Sequence, residues 1–394
     1  MLNRLKIYLI TIIIISLFLS GCSSKTPSPK ANEPKETESS IVDNHSNDGR
    51  TVVGISMPDE LLERWNRDGS YLKDQFEKNG CDVIVKFANN LIDTQIGDLR
   101  KMIAEGADIL VITAVDGAAL SSVLEEARAA NVKIIAYDRL IMNTDAVDYY
   151  VSFDNYMVGV LQAEYIIDSL DLDSSQDSEN IEFVTGDPVD NNARFFYKGA
   201  YDTLKPYIDN GKLIVPSTQT GFYETSTAQW STDIAQQRLQ IILNSYYPKG
   251  TRLDAVLCAN DSTALGAAKA LESNYLGTNT VILTGQDGDI ANIYNIINGI
   301  QSMTVYKALQ EESIVTVSLG MSILSGRNPT SDLIDESKWD FECSYNIKDY
   351  NNGTKVVPSY LLNPITITAE NIEKELFDTG YYSRNSAGLI YAAD

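Results

Sequence analysis

Histidine is almost missing from this 394-residue chain: the single one, His45, stands in a polar stretch near the N-terminus. Everything after it is left without histidine triads, most zinc sites or an imidazole general base. Cysteine is scarce as well. Cys81, Cys258 and Cys343 form an odd set with no C-x-x-C spacing, which argues against a disulfide framework. Cys258, inside an apolar strand pattern, reads as a small buried hydrophobe. Basic residues are outnumbered, 31 Lys and Arg against 54 Asp and Glu for a net charge of -23, and they form no dense cluster; nucleic acid is not an expected partner. The chain carries neither a G-x-x-x-x-G-K-S/T loop nor a G-x-G-x-x-G fingerprint, so kinase and dehydrogenase chemistry lacks its usual parts. The apolar run from Ile7 to Leu19 is too short for a comfortable membrane span.

That run follows Arg4 and Lys6, the charge and length of a signal peptide over residues 1–21. Leu19-Ser20-Gly21-Cys22 resembles the lipobox of bacterial lipoproteins, in which cleavage before the cysteine leaves its sulfur to carry a lipid. Residues 22–50 then supply the lipidated Cys22 and a tether of Ser, Pro, Lys, Glu and Asn with almost nothing to bury. The folded body is expected from Thr51 onward and is long enough for two domains, each with its own core.

Val132–Tyr137 is a short apolar, β-branched run of the kind buried on both faces of a parallel sheet, and it opens into Asp138-Arg139. The end of such a strand is where α/β sheets bind ligands. A carboxylate beside a guanidinium offers acceptors and donors together, a combination suited to a neutral polyhydroxylated molecule. A second strand, Tyr149–Phe153, leads into Asp154-Asn155. Before these come strands at Thr51–Met57, Asp82–Phe87 and Ala107–Ile112, alternating with helices; after them come strands at Ile181–Thr185, Lys212–Val215, Asp254–Cys258, Val281–Thr284 and Met303–Tyr306, again alternating with helices. Strict alternation predicts right-handed βαβ crossovers and two doubly wound parallel sheets. The segments ADILVITAVDGAAL and LDAVLCANDSTALG share one grammar, as if both halves were built to one plan. A helix over Glu311–Ser325 packing back on the first half would make the chain cross three times between domains.

Polar groups collect at or just beyond the strand ends: Arg64-Trp65, Asp138-Arg139, Asn192, Asn260, Asp287 and Lys307, with Trp230 joining them from a polar stretch before a helix. Singly, each has an ordinary structural explanation: Asn192 and Asn260 as helix caps, Asp287 in a turn, Lys307 on the surface, Trp230 in the core. Together they mix charged donors and acceptors with two indoles. The motifs ERW at Glu63–Trp65, IAYDRLI at Ile135–Ile141, SFDN at Ser152–Asn155, PVDNNA at Pro188–Ala193, LKPYIDNGK at Leu204–Lys212, GQD at Gly285–Asp287, TVYK at Thr304–Lys307 and KVVPSYLL at Lys355–Leu362 resemble, in this order, bacterial solute-binding proteins of the ribose-binding type, and most closely the D-xylose-binding and multiple-aldose-binding branch.

The resemblance implies two lobes on a three-segment hinge, residues 51–153 with 307–328 and residues 154–306 with 329–394. A monosaccharide aldose such as xylose, glucose or galactose would be held between them. Arg64, Asp138, Arg139, Asn192, Asn260, Asp287 and Lys307 carry over as hydroxyl partners, and Trp65 and Trp230 as stacking residues. It implies delivery to an ABC importer; the missing histidine and the strand-end residues lead us to expect no cofactor, metal or enzymatic activity, and the lipobox and tether a monomer anchored by lipid at the outer face of the cytoplasmic membrane. A sugar sensor signalling to a membrane histidine kinase or chemoreceptor would need the same binding residues. A glycoside-processing enzyme using Asp138 and Asp287 is a further alternative, weakened by Arg139 beside Asp138, which favours the charged carboxylate. A transcriptional repressor of this fold would need a helix-turn-helix where the signal segment and tether stand.

Overall fold

The computed structural model describes residues 50–392. The signal segment, Cys22, the tether and His45 lie outside the described residues. The first lobe contains β1 (Val52–Met57), β2 (Asp82–Phe87), β3 (Ile109–Ile112), β4 (Lys133–Tyr137) and β5 (Tyr149–Phe153). β3 is buried at every position and β4 at all but its first, because helices cover both faces of the parallel sheet. β2, at the edge, has no fully buried residue. The second lobe contains β6 (Glu179–Val184), β7 (Leu213–Ile214), β8 (Ala255–Cys258) and β9 (Ile282–Leu283), all parallel in the order β7-β6-β8-β9. β10 (Met303–Tyr306) adjoins this sheet through a parallel bridge between Gln286 and Val305. Helices Asn155–Ser169 and Asn191–Asp209 pack so closely on its face that a Cβ on Gly159 would stand 1.9 Å from the Phe196 carbonyl oxygen.

The sequence assigned residues 329–394 to the second lobe, and the strand pairing corrects this. β11 (Cys343–Asn346) and β12 (Ser359–Leu362) complete the first sheet, in the order β11-β12-β5-β4-β3-β1-β2. β12 runs parallel to β5, from Ser359 opposite Tyr150 to Leu362 opposite Phe153, and only β11 is antiparallel to its neighbour. The free side of β5 needs backbone partners, and Tyr360 and Leu362, both fully buried, deliver them with apolar side chains for the same core. Only then does the chain cross to β13 (Ile365–Thr368), which pairs antiparallel with β10. The third crossing therefore falls at 362–365 rather than near 328.

Helix Leu309–Leu324 does return to the first lobe, where Val315, Leu319 and Ile323 join a core containing Phe76 and Tyr137. The chain ends on the second lobe in a hairpin of β14 (Tyr382–Arg384) and β15 (Ile390–Ala392). No helix among the described residues is long and apolar enough to cross a membrane.

Candidate ligand-binding site

The ends of β4, β8, β9 and β10 open onto one cavity between the lobes. All nine residues collected from the sequence line it, together with Leu62, Asp190, Phe196, Ser262, Gln286 and Asp289.

Asp138 is set by its backbone. Directly after β4 it adopts φ 57°, a left-handed conformation that Asp tolerates better than most residues. Its carbonyl oxygen accepts from Tyr150 Oη at 2.7 Å, Ser152 Oγ at 2.9 Å and Asn192 Nδ2 at 2.6 Å, which fixes the turn. The carboxylate then meets Arg64 Nη2 at 2.5 Å and Lys307 Nζ at 3.3 Å. Burial pushes this carboxyl up, and the fields of Arg64, Lys307 and Arg139 outweigh it, holding the group at about 2. Asp138 is an anion at any physiological pH.

Arg64, in the first turn of helix Glu63–Lys78, sits among four carboxylates: Asp138, Asp287 at 3.1 Å, Asp68 at 3.2 Å and Glu312 at 3.4 Å. Asp68 and Glu312 are fully buried, and burial is the first cause that raises both, Asp68 to about 6. They hold the guanidinium from behind, while its other edge faces the cavity. Asp287, at φ 104° between β9 and β10, is the second lobe's contribution; burial raises its pKa against the pull of Arg64 and Lys307.

Asn192 is not the cap of its helix. Asp190 is, accepting from the Asn192 N–H at 2.9 Å, and this frees the Asn192 amide to reach Asp138 across the cleft. Asn260 does cap helix Asp261–Asn274, accepting from the Thr263 N–H at 3.0 Å, and its Nδ2 still faces Asp287 at 3.5 Å. Lys307 is not a surface residue, being 1% exposed. Trp230 is buried against Phe196, with ring centroids 6.2 Å apart, and its Nε1 has no protein partner. It lies directly on Gly186, where a Cβ would be 2.0 Å from the indole. Trp65 lies under two guanidinium groups, Arg64 at 4.7 Å and Arg139 at 5.1 Å from its ring. Arg139 in turn reaches across the cleft to Asp190 at 2.9 Å.

Among the residues that sequence reasoning missed, Asp190 stood inside the PVDNNA motif and Gln286 inside GQD, while Phe196 is one helical turn beyond Asn192. Asp68 and Glu312 carried no signal, since an acid on an amphipathic helix normally reads as its solvated face. The assembled chemistry is a dense set of fixed donors and acceptors between two indoles.

Residues 53–328 match the family described as periplasmic binding protein domain. The chain is 39% identical over 337 residues to the multiple sugar-binding periplasmic protein of Azospirillum brasilense, covering 85% of this chain and 90% of that protein. It is 40% identical to the multiple sugar-binding periplasmic receptor of Rhizobium radiobacter, covering 84% and 90%. The crystal structure of an ABC transporter solute binding protein from Clostridium phytofermentans with bound β-D-glucose superposes with a TM-score of 0.80 at 44% identity, covering 86% of this chain and all of that one.

Proposed function

The chain belongs to the periplasmic binding protein family, and from that membership and the chemistry of its cleft we propose that it captures a monosaccharide aldose, glucose or xylose first among them, and delivers it to an ABC importer. The observation that carries this reading is the cavity between the lobes. It combines fixed carboxyl groups (Asp138, Asp287), cations (Arg64, Arg139, Lys307) and amides (Asn192, Asn260) with two indoles. A buried sugar hydroxyl needs both a donor and an acceptor, and charged or planar partners satisfy it with geometric selectivity. The indole faces of Trp65 and Trp230 suit the C–H faces of a pyranose. Arg64 and Asp138 would anchor the sugar on the first lobe, and Asn192, Asn260 and Asp287 would close on it from the second.

Calorimetry against glucose, xylose, galactose, arabinose and ribose tests the proposal: at least one binds tightly and is recovered unchanged. Failure of all five, or turnover of any, overturns it. Lipidation of Cys22 would keep the protein at the outer face of the cytoplasmic membrane, and Cys22→Ala is then expected to release or misprocess it. A variant that stays with the membrane fraction, with no lipid found by mass spectrometry on the wild type, refutes the anchor. The receptor named in Rhizobium radiobacter supports a second reading, in which the sugar-loaded protein engages a sensor. Cross-linking in membranes identifies which partner it touches.

A further inference from the structure

Arg67 stands one helical turn beyond Arg64, outside the cavity, yet it is only 8% exposed. What buries it is the far end of the chain. Its guanidinium lies 3.7 Å from the ring centroid of Tyr381 and 4.8 Å from that of Tyr382, and its Nη2 donates to the Tyr381 carbonyl oxygen at 3.2 Å. On its own helix the guanidinium pairs with Glu63 through Nη1 at 3.7 Å and donates from Nη2 to Tyr71 Oη at 3.1 Å, while its face lies against the two tyrosines of the other lobe. Tyr381 and Tyr382 are 2% and 1% exposed and ride on the second lobe, packed with Ile293, Ile296 and Ile390.

Further contacts stand beside it: Tyr382 Oη lies 2.7 Å from the Gly288 carbonyl oxygen within the second lobe and 3.3 Å from the Glu63 carboxylate of the first, and Glu63 also accepts from the Ile290 N–H at 3.4 Å. Glu63 adjoins Arg64, and Gly288 adjoins Asp287. Tyr381 also lies edge-on to Tyr306, at 4.7 Å, in the hinge residue before Lys307.

Resting on the sugar-binding reading above, we propose that Arg67 and the Tyr381-Tyr382 pair form a clasp between the lobes, which sets how long a bound sugar stays without touching it. The clasp and the pocket share one helix turn and one loop. Domain closure that brings Arg64 to Asp287 also brings Arg67 onto Tyr381, and opening must separate both. A desolvated cation–π contact and the hydrogen bonds beside it favour the closed form by a fixed amount, whatever sugar lies inside. An element that acts only on closure changes the apparent affinity for every ligand by the same factor, whereas a pocket residue changes the order of preference.

The test measures dissociation of bound glucose and xylose by stopped-flow displacement in wild type, Tyr381→Leu, Arg67→Met and the double variant. Solution scattering without sugar gives a second readout. Each single variant is expected to release both sugars about 10-fold faster or more, by a common factor, with association rates within about twofold. The double variant is no worse than the poorer single, and the radius of gyration of the sugar-free protein rises. Arg67→Met keeps the aliphatic stem and carries the test if Tyr381→Leu fails to fold. Unchanged release rates, or factors that differ between sugars, overturn the clasp. A wild type that binds no sugar refutes the binding reading instead, and the clasp then stands or falls on the scattering result alone.

Discussion

Asp138→Asn isolates the charge at the centre of the site. Asn has nearly the same volume and also tolerates the left-handed backbone at φ 57°, so the turn and its three donors to the carbonyl oxygen survive; Ala would add backbone strain at this position. What is lost is the anion between Arg64 and Lys307. Arg64 keeps Asp68, Asp287 and Glu312. Lys307, 1% exposed, loses its ion-pair partner at 3.3 Å and keeps the more distant fields of Asp287 and Glu312. Breaking such a pair costs about 3–5 kcal/mol. A hydrogen bond to a charged group contributes roughly 1.5–3 kcal/mol, so if Asp138 holds a sugar hydroxyl, affinity falls about 10- to 100-fold and the remainder appears as lost thermal stability. Calorimetry with the tightest-binding sugar reads the first part and thermal unfolding the second. Because Asp138 stays ionised down to about 2, its own titration adds no pH dependence to either loss between pH 6 and pH 8. Lys307→Met in the Asp138→Asn background should restore part of the stability, since it removes the charge that lost its ion-pair partner. Affinity within threefold of wild type, in a variant that still unfolds cooperatively, would refute the placement of Asp138 on the ligand.

Three other outcomes are expected. Burial raises Asp68 to about 6, Asp261 to about 7 and Glu311 to about 7; acids that hold more protons folded than unfolded lose stability as pH climbs from about 4 through 7. The melting temperature should thus fall between pH 5 and pH 8, and less steeply in Asp68→Asn or Asp261→Asn; a rise over that range contradicts the burial argument. Gly186→Ala drives a Cβ into the Trp230 indole, so sugar affinity should drop about 10-fold or more by calorimetry, and an unchanged value would show that Trp230 is not held where it meets the ligand. Sugar-induced fluorescence change should shrink in Trp65→Phe and in Trp230→Phe and persist in Trp339→Phe, because only the first two line the cavity, while Trp339 stacks on Phe341 elsewhere; a signal carried by Trp339 alone puts the site or hinge elsewhere.

The order of strands and helices was legible in the sequence because it rests on local patterns: short apolar runs, helical periodicity and glycine stops. From that order alone, the carboxyl ends of parallel strands must share one edge of each sheet. This is why residues as distant as Arg64, Asp138, Asn260 and Asp287 could be grouped before any coordinates and do surround one cavity. Tertiary structure alone decided matters that depend on which surfaces meet. Nothing in the pattern of KVVPSYLL at Lys355–Leu362 says that β12 pairs with β5 of the first lobe, some two hundred positions earlier. Asp190 and Asn192 are equally good caps on paper, and the geometry of one helix start gave the cap to Asp190 and released Asn192 to cross the cleft. Asp68 and Glu312 read as solvated acids, and they are buried because Arg64 turns inward between them. Arg67 and Tyr381 are more than three hundred residues apart and meet only through the packing of one lobe on the other. Local sequence encodes what each segment can be; the partners of a buried charge are set by packing between segments, where an unpaired group would cost several kcal/mol.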